Sequence, residues 1–375
     1  MISRLTLSNL LLFFALATGF IYLLGAKLLF GLNVEYTRAL FSVTVFLILS
    51  VVLFKRRKIH YSKFGVLFAY LILGGTLASL IKISTGNLLT IMRFSVFALI
   101  WFSDINISIK QLKLLVSIYV AVNFLILIYQ YLVGDYEYIN MTYRYSGIYY
   151  HHSSGASLMY QVLLGTIFLF RKFWHQIILS SLLAAFIILT GSRTGLGALL
   201  LFYLLFFYRS QYKFLYFGIL IILTPVVFNY IAGLPRISFL LEKGLVDAST
   251  LERVNIFKRS IININGISHI VGIGSGYFDD LQFRLVGEKV AAHNLLLQMY
   301  VEGGIIGLLL FINALVFLFL KSAFKSRMML YLVVVIELFG IINNVYYYFE
   351  IYMLYILLLK SNINPVEKVR VHTRS

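Results

Sequence analysis

The chain has 375 residues, 61% of them hydrophobic and 12% charged, with a formal net charge of +18 and no cysteine. Soluble domains run near half apolar and a quarter charged, so this composition excludes a soluble fold, and the absence of thiols excludes a disulfide framework or a thiolate metal site. The apolar residues come in runs of about 17 to 25, with several shorter. That is the length of a helical membrane crossing, and it excludes a β-barrel, whose strands alternate over about ten residues.

In chain order the predicted spans are 7–30, 39–54, 64–81, 88–103, 113–133, 154–170, 174–190, 194–208, 213–232, 303–320, 328–344 and 346–360. The expected fold is an all-α, polytopic helical bundle of about 12 transmembrane helices, a single membrane domain over 1–375. The first run follows Arg4 and lacks a small-residue cleavage signal, so it is expected to be a retained span. Twelve spans place both termini on one side. That side also receives "KRRKIHYSK" (Lys55 to Lys63), Lys110, Lys113, Arg171, Lys172, Arg209, Lys213, "KSAFKSR" (Lys321 to Arg327) and the C-terminal basic residues. About nineteen of the 32 basic residues fall there, against about five in the other short loops. The positive-inside rule then predicts both termini in the cytoplasm. Orientation, rather than nucleic-acid binding, accounts for most of the charge, and no nucleic acid is expected as a partner.

Arg93 lies within the apolar run "LLTIMRFSVFALIWF". An intramembrane charge faces a cavity or a partner, and Glu337 and Glu350 are the candidate partners. The next outward loop, 134–153, carries Arg144, His151 and His152. Asp135 and Glu137 there have the one-residue spacing of some metal-binding carboxylate pairs. No further ligand accompanies them, and a solvated loop is the plainer reading. "TGSRTGLGALL" (Thr190 to Leu200) is a tight turn between two spans, in which Gly191, Gly195 and Gly197 allow the turn and close helix approach. It holds Arg193 at the mouth of the bundle, where it either snorkels to headgroups or binds a lipid phosphate bidentately.

Residues 233–292 form one long extracytoplasmic loop, and a loop of that length is usually functional. Within it, "LERVNIFKRSIININ" (Leu251 to Asn265) reads as an amphipathic helix, with Asp247, Ser249 and Thr250 available as caps. At helical spacing Leu251, Val254, Phe257, Ile261 and Ile262 share a face that meets either the bundle or the membrane interface, while Arg253 and Arg259 fall off that face and Ile256 points away. "GIGSGYFDD" (Gly272 to Asp280) has no dinucleotide spacing and reads as a flexible turn. His293 then sits where polar loop becomes apolar helix, nine residues before Glu302. Alone it reads as a cap or packed residue; near a cavity its ordinary pKa of about 6.5 suits it to act as a neutral base.

Taken in order, "GSRTGLGALL", "LERVNIFKRSI", "IVGIGSGYF" and "AHNLLLQMYVEGGIIGLLLF" resemble the O-antigen ligase and polymerase superfamily, over Thr190 to Ile312. "YRYSGIYYHHSSGASL" (Tyr143 to Leu158) is a looser match. Its His151 and His152 depart from the family's commoner proline–asparagine, and neither is assigned a role. The resemblance implies an inverting, metal-independent glycosyltransferase with no cofactor. It would use glycans on undecaprenyl diphosphate at the outer face of the bacterial cytoplasmic membrane. It maps the family's catalytic histidine onto His293 and its substrate arginines onto Arg193 and Arg253, with Arg259 and Arg144 as further diphosphate-binding candidates. Expected partners are the lipid-linked glycans, membrane lipids and a chain-length regulator protein. A polymerase joining repeat units into O-antigen or capsule is the expected activity. The alternatives are a ligase acting on lipid A core and a lipid-linked oligosaccharide flippase. Transporters tend to show internal repeats, and none is evident here.

Overall fold

The computed structural model describes residues 42–51, 61–81, 85–103, 109–139, 142–147, 153–167, 173–207, 248–288, 290, 292–325, 327–342 and 349–360. The described chain is a bundle of apolar helices with one two-stranded hairpin. The helices are α1 (Ser42–Val51), α2 (Lys63–Ile81), α3 (Thr85–Phe102), α4 (Ile109–Val133), α5 (Ser153–Ile167), α6 (Phe173–Leu189), α7 (Arg193–Phe207), α8 (Ala248–Ile262), α9 (Ser268–Val271), α10 (Phe278–Val286), α11 (Leu295–Lys325), α12 (Arg327–Ile342) and α13 (Phe349–Lys360). Between α4 and α5, β1 (Glu137–Ile139) pairs antiparallel with β2 (Thr142–Arg144). Three segments are long and apolar enough to cross a membrane: Lys63–Ile81, Lys110–Val133 and Leu295–Ala323. Shorter apolar helices fall on most of the remaining predicted spans. The predicted spans 7–30 and 213–232 lie outside the described residues, as do His151 and His152.

Helix boundaries follow the apolar runs because a backbone in hydrocarbon must satisfy its own hydrogen bonds. α2 and α3 form a packed helical hairpin, held by rings that fill the centre of the bundle. Phe64 meets Phe68 edge-on at 5.1 Å and Trp101 at 5.1 Å, and Phe68 lies 5.2 Å from Phe97. From α13, Phe349 stacks on Phe97 at 5.4 Å and Tyr352 meets it edge-on at 5.1 Å. Lys360 ends α13 by donating to the carbonyls of Ile100 and Ser103 at the close of α3, so the two helices run in the same direction. Within the bundle, Glu337 accepts from the Tyr355 hydroxyl at 3.0 Å, and Arg93 is half-buried on α3.

α11 departs from the expected span. It begins eight residues earlier than 303 and breaks direction at Gly304, whose φ of 65° and ψ of −167° are not helical. Its first nine residues bridge two cores: Leu295 and Met299 pack in the main bundle, while Leu297 and Val301 pack with α8 and α10. Ile256, Ile264, Phe278, Leu281, Ala292, Leu297 and Val301 form a second apolar core there. The described part of the long loop, from Ala248 on, is therefore a folded unit built around the start of a spanning helix.

"GIGSGYF" is part of this unit and is not a flexible turn. Ile273 N–H donates to the Val301 carbonyl at 3.0 Å and Gly274 N–H to the Glu302 carbonyl at 3.1 Å. Ser275 is fully buried and donates its hydroxyl to the Leu71 carbonyl at 2.7 Å, while the Tyr277 hydroxyl donates to Ala78 O at 3.2 Å. The glycine-rich segment is thereby wedged between α2, α3 and α11.

Candidate functional site

Helix alternation from α2 to α7, and the run of α11 back past α2, gather four pieces at one end of the bundle. These are the β1–β2 hairpin, the turn before α7, the folded loop and the start of α11. Residues expected to carry function are brought together there in two pairs.

The first pair is Arg144 and the turn that leads into Arg193. β2 leaves the hairpin and docks on the end of α6, with Tyr145 N–H donating to Leu189 O at 3.0 Å. The Arg144 side chain then lies along Gly191, where an added Cβ would meet its Cγ at 3.3 Å and its Nε at 3.6 Å. Gly191 takes φ of 61°, which tightens the turn. Ser192 caps α7: its Oγ accepts Gly195 N–H at 3.2 Å and its carbonyl accepts Leu196 N–H at 2.9 Å. Thr190 Oγ1 donates to Ile187 O at 2.7 Å and accepts Ser192 N–H at 3.3 Å. Arg193 is thus the first residue of α7, on a fully bonded turn at the positive end of a helix. Gly195 permits close approach to α5, since a Cβ there would overlap Ser157, and Gln161 donates to its carbonyl at 2.9 Å. Gly197 has open space around it and plays no such part. Register sets Glu137 directly across from Arg144. Tyr131 and Tyr136 flank Tyr145 at ring distances of 6.5 and 6.2 Å.

The second pair is His293 and Arg253. Ala292 is buried in the second core, and Asn294 caps α11 by accepting Leu297 N–H on Oδ1 at 3.0 Å. Between these anchors His293 takes φ of 49°, the one positive value for a non-glycine among the described residues. Histidine is enriched in this region compared with most side chains, and such strain persists where the surroundings over-determine it. The ring is exposed at the surface, with enough protein around it to disfavour its charged form. Its pKa is lowered below the usual 6.5, first by burial and then by the Arg253 charge, against an upward pull from Glu252. A histidine so biased is neutral at ordinary pH and can accept a proton.

Glu302 is not the carboxylate that serves His293. It lies nine residues further on, seven residues into α11 and so about 10 Å along its axis, and is buried. Its Oε1 accepts Phe278 N–H at 3.3 Å and Gln298 Nε2 at 3.1 Å, and Gly276 N–H also faces the carboxylate. Glu302 anchors the glycine-rich segment. Glu252, on α8 beside Arg253, is the acidic neighbour of His293. Sequence reading passed over it because adjacent helical residues point apart.

The packed face of α8 also differs from the expected one. Ile256 and Ser260 are fully buried, whereas Leu251, Val254, Phe257 and Ile262 are exposed. Ser260 Oγ accepts from Gln282 at 2.8 Å and donates to Ile256 O at 2.6 Å. The stripe Ile256, Ser260, Ile264 at four-residue spacing meets α10 and α11, and the larger stripe faces away from the protein. The helix starts at Ala248, so Ser249 and Thr250 are in its first turn, and Asp247 lies outside the described residues. Arg259 is half-buried six residues beyond Arg253, on a different face of the helix. Asp279 and Asp280 stand in the first turn of α10, where negative charge complements the helix dipole.

Among the described residues no cluster of three His, Asp or Glu side chains has metal-binding geometry. Residues 178–312 match the family model described as O-antigen ligase, a stretch that includes Arg193, Arg253, Arg259 and His293. No curated protein matches the chain.

Proposed function

We propose, from the match of residues 178–312 to the family model described as O-antigen ligase and the order of the sequence motifs, that the protein is a polysaccharide polymerase of the bacterial cytoplasmic membrane. It joins oligosaccharide repeat units carried on undecaprenyl diphosphate at the outer face, with both termini in the cytoplasm. The observation that carries the chemical reading is His293: a strained, capped histidine with a lowered pKa beside Arg253.

The reaction is a single displacement. The neutral imidazole of His293 takes the proton of the acceptor sugar hydroxyl as that oxygen attacks the anomeric carbon of the donor. The bond from the anomeric carbon to the diphosphate oxygen breaks, its electrons leave with the lipid diphosphate, and the configuration inverts. Arg193 and Arg253 supply the positive charge that holds the departing diphosphate, with Arg144 and Arg259 as secondary candidates, a role that guanidinium groups perform without a divalent cation. The acceptor is the sugar end of a second lipid-linked repeat unit, and a chain-length regulator protein is the expected partner. The ligase alternative, transfer of the same donor to lipid A core, uses the same groups and differs in acceptor. It draws its support from the description of the matched family.

The test is complementation of a strain lacking its native copy, with lipid-linked and core-linked glycans analysed separately. The wild-type chain should restore long lipid-linked polymer. His293→Ala should insert normally and leave single repeat units. Long polymer made by His293→Ala would remove the base from the mechanism, and products found on lipid A core without prior extension would replace polymerase by ligase.

A further inference from the structure

The segment 267–277 packs along the side of α2, a candidate membrane span, and not beyond its end. Tyr70 donates to the Gly303 carbonyl at 3.0 Å, and its hydroxyl lies 3.5 Å from Val271 O. Ser275 donates to Leu71 O, and a Cβ on Gly274 would overlap Ala78. Leu71 is ten residues before the end of α2 at Ile81, about 15 Å along the axis. The whole contact lies on α2 between Tyr70 and Ala78, well inside its span.

The surface at that depth is apolar. On α2, Leu73, Leu77, Leu80 and Ile81 are exposed, the last at 89%. On the segment itself Ile267 is 73% exposed, Ile270 51% and Val271 42%. On α11, immediately after the Gly304 break, Ile305, Ile306 and Leu309 are exposed as well. The exposed side chains of the segment continue the surface that two candidate spans present to their surroundings.

The segment's backbone is satisfied from within the protein. Gly272 N–H donates to Ser268 O at 2.8 Å, Ile273 and Gly274 donate to carbonyls of α11, and Phe278 N–H donates to the Glu302 carboxylate. Irregular backbone survives at membrane depth where protein groups, not water, receive its hydrogen bonds. A buried carboxylate on a spanning helix otherwise has a large desolvation cost and no purpose. Here it is the acceptor that lets non-helical backbone leave water.

We infer that residues 267–277 form a re-entrant segment that dips into the outer half of the bilayer between α2 and α11, with Ile267, Ile270 and Val271 against lipid acyl chains. Charged residues on α10 and just beyond it, such as Arg284 and Glu288, remain in water.

The chain has no cysteine, so single cysteines can be introduced without background. Ile267→Cys, Ile270→Cys, Val271→Cys, Arg284→Cys and Glu288→Cys, all at exposed sites, are labelled with a nitroxide in the full chain. Each is reconstituted in phosphatidylethanolamine–phosphatidylglycerol vesicles. Collision with oxygen, which concentrates in hydrocarbon, is compared with collision with a water-soluble nickel chelate. The first three positions should show an oxygen-to-nickel ratio several-fold above the last two. Nickel access equal to that at Arg284→Cys would overturn the inference. So would shielding of the three from both reagents, which would mean that a second copy or another protein covers them. Lipid-like ratios at all five would replace a re-entrant segment by wholesale burial of the loop. None of these readings depends on activity, so failure here is distinct from failure of the polymerase assignment.

Discussion

Gly304→Ala tests whether the glycine-rich segment and the break in α11 act as one lock. The backbone at Gly304, φ of 65° with ψ of −167°, belongs to a region that side-chain-bearing residues avoid, at a cost of about 2–3 kcal/mol. A Cβ there would also stand 2.5 Å from Val271 N and closer still to Ile270 O. Ordinary contacts do not fall below 3.0 Å, so segment and helix would have to part by roughly 1 Å. That separation weakens the Ile273–Val301 and Gly274–Glu302 hydrogen bonds, at about 1 kcal/mol each. The sum is about 4–5 kcal/mol. At roughly 2 °C per kcal/mol for a large domain, the apparent melting temperature of the purified protein should fall by about 10 °C. Gly197→Ala is the matched control, because that glycine is helical with open space around it. It should be neutral or stabilising by up to about 1 kcal/mol. If Gly304→Ala melts with Gly197→Ala and retains full polymer synthesis, the lock does not exist as described.

The pH dependence of polymer synthesis reports on His293. Because its pKa is held below the usual histidine value, the rate should fall only as pH drops through that lowered pKa. Removing a lowering influence with Arg253→Gln should move the acid limb to higher pH, and removing a raising one with Glu252→Gln should move it lower; initial rates across pH in proteoliposomes decide. A limb that shifts with neither variant would detach His293 from the rate. Asn294→Ala should lose about 1 kcal/mol of cap energy and, by freeing the peptide of His293, lower kcat several-fold. Asn294→Asp, which keeps the acceptor, should melt like the wild type, and equal melting of Asn294→Ala and Asn294→Asp would dismiss the cap.

The apolar helices were legible in the sequence because hydrocarbon imposes one local rule, although among the described residues only Lys63–Ile81, Lys110–Val133 and Leu295–Ala323 are long and apolar enough to cross a membrane. An apolar run that satisfies its own backbone must be helix, and α2 to α7 begin and end within a few residues of the predicted limits. The start of α11 was less legible. "LLLQMYV" is apolar enough to be helix, yet the direction change depends on Gly304 meeting Ile270, a contact between separate segments. "GIGSGYF" was misread for a related reason: glycines suggest freedom in isolation, but here they let backbone touch backbone. On α8 two apolar stripes compete, and the longer one lost because the second core has room for Ile256 and Ser260. Arg193 and His293 could be singled out by motif order, while the influence of Glu252 on His293 required coordinates.

The electrostatics of the Arg144 pair bear on whether it is structural or functional. Arg144 lies along Gly191 at the start of α7, where helix amides and dipole already present positive potential. Arg193 adds a further formal charge at the first residue of that helix. In the hairpin register Glu137 stands across from Arg144. A helix N-terminus is in itself a site that an entering diphosphate complements. The ordering of the turn supports the same view. Thr190, Ser192 and Gly195 commit their polar groups to one another, so the cationic end of α7 is fixed before any anion arrives. A pre-organised positive site loses little free energy to reorganisation when charge develops on a leaving group, and that is the condition under which electrostatic stabilisation accelerates a reaction most.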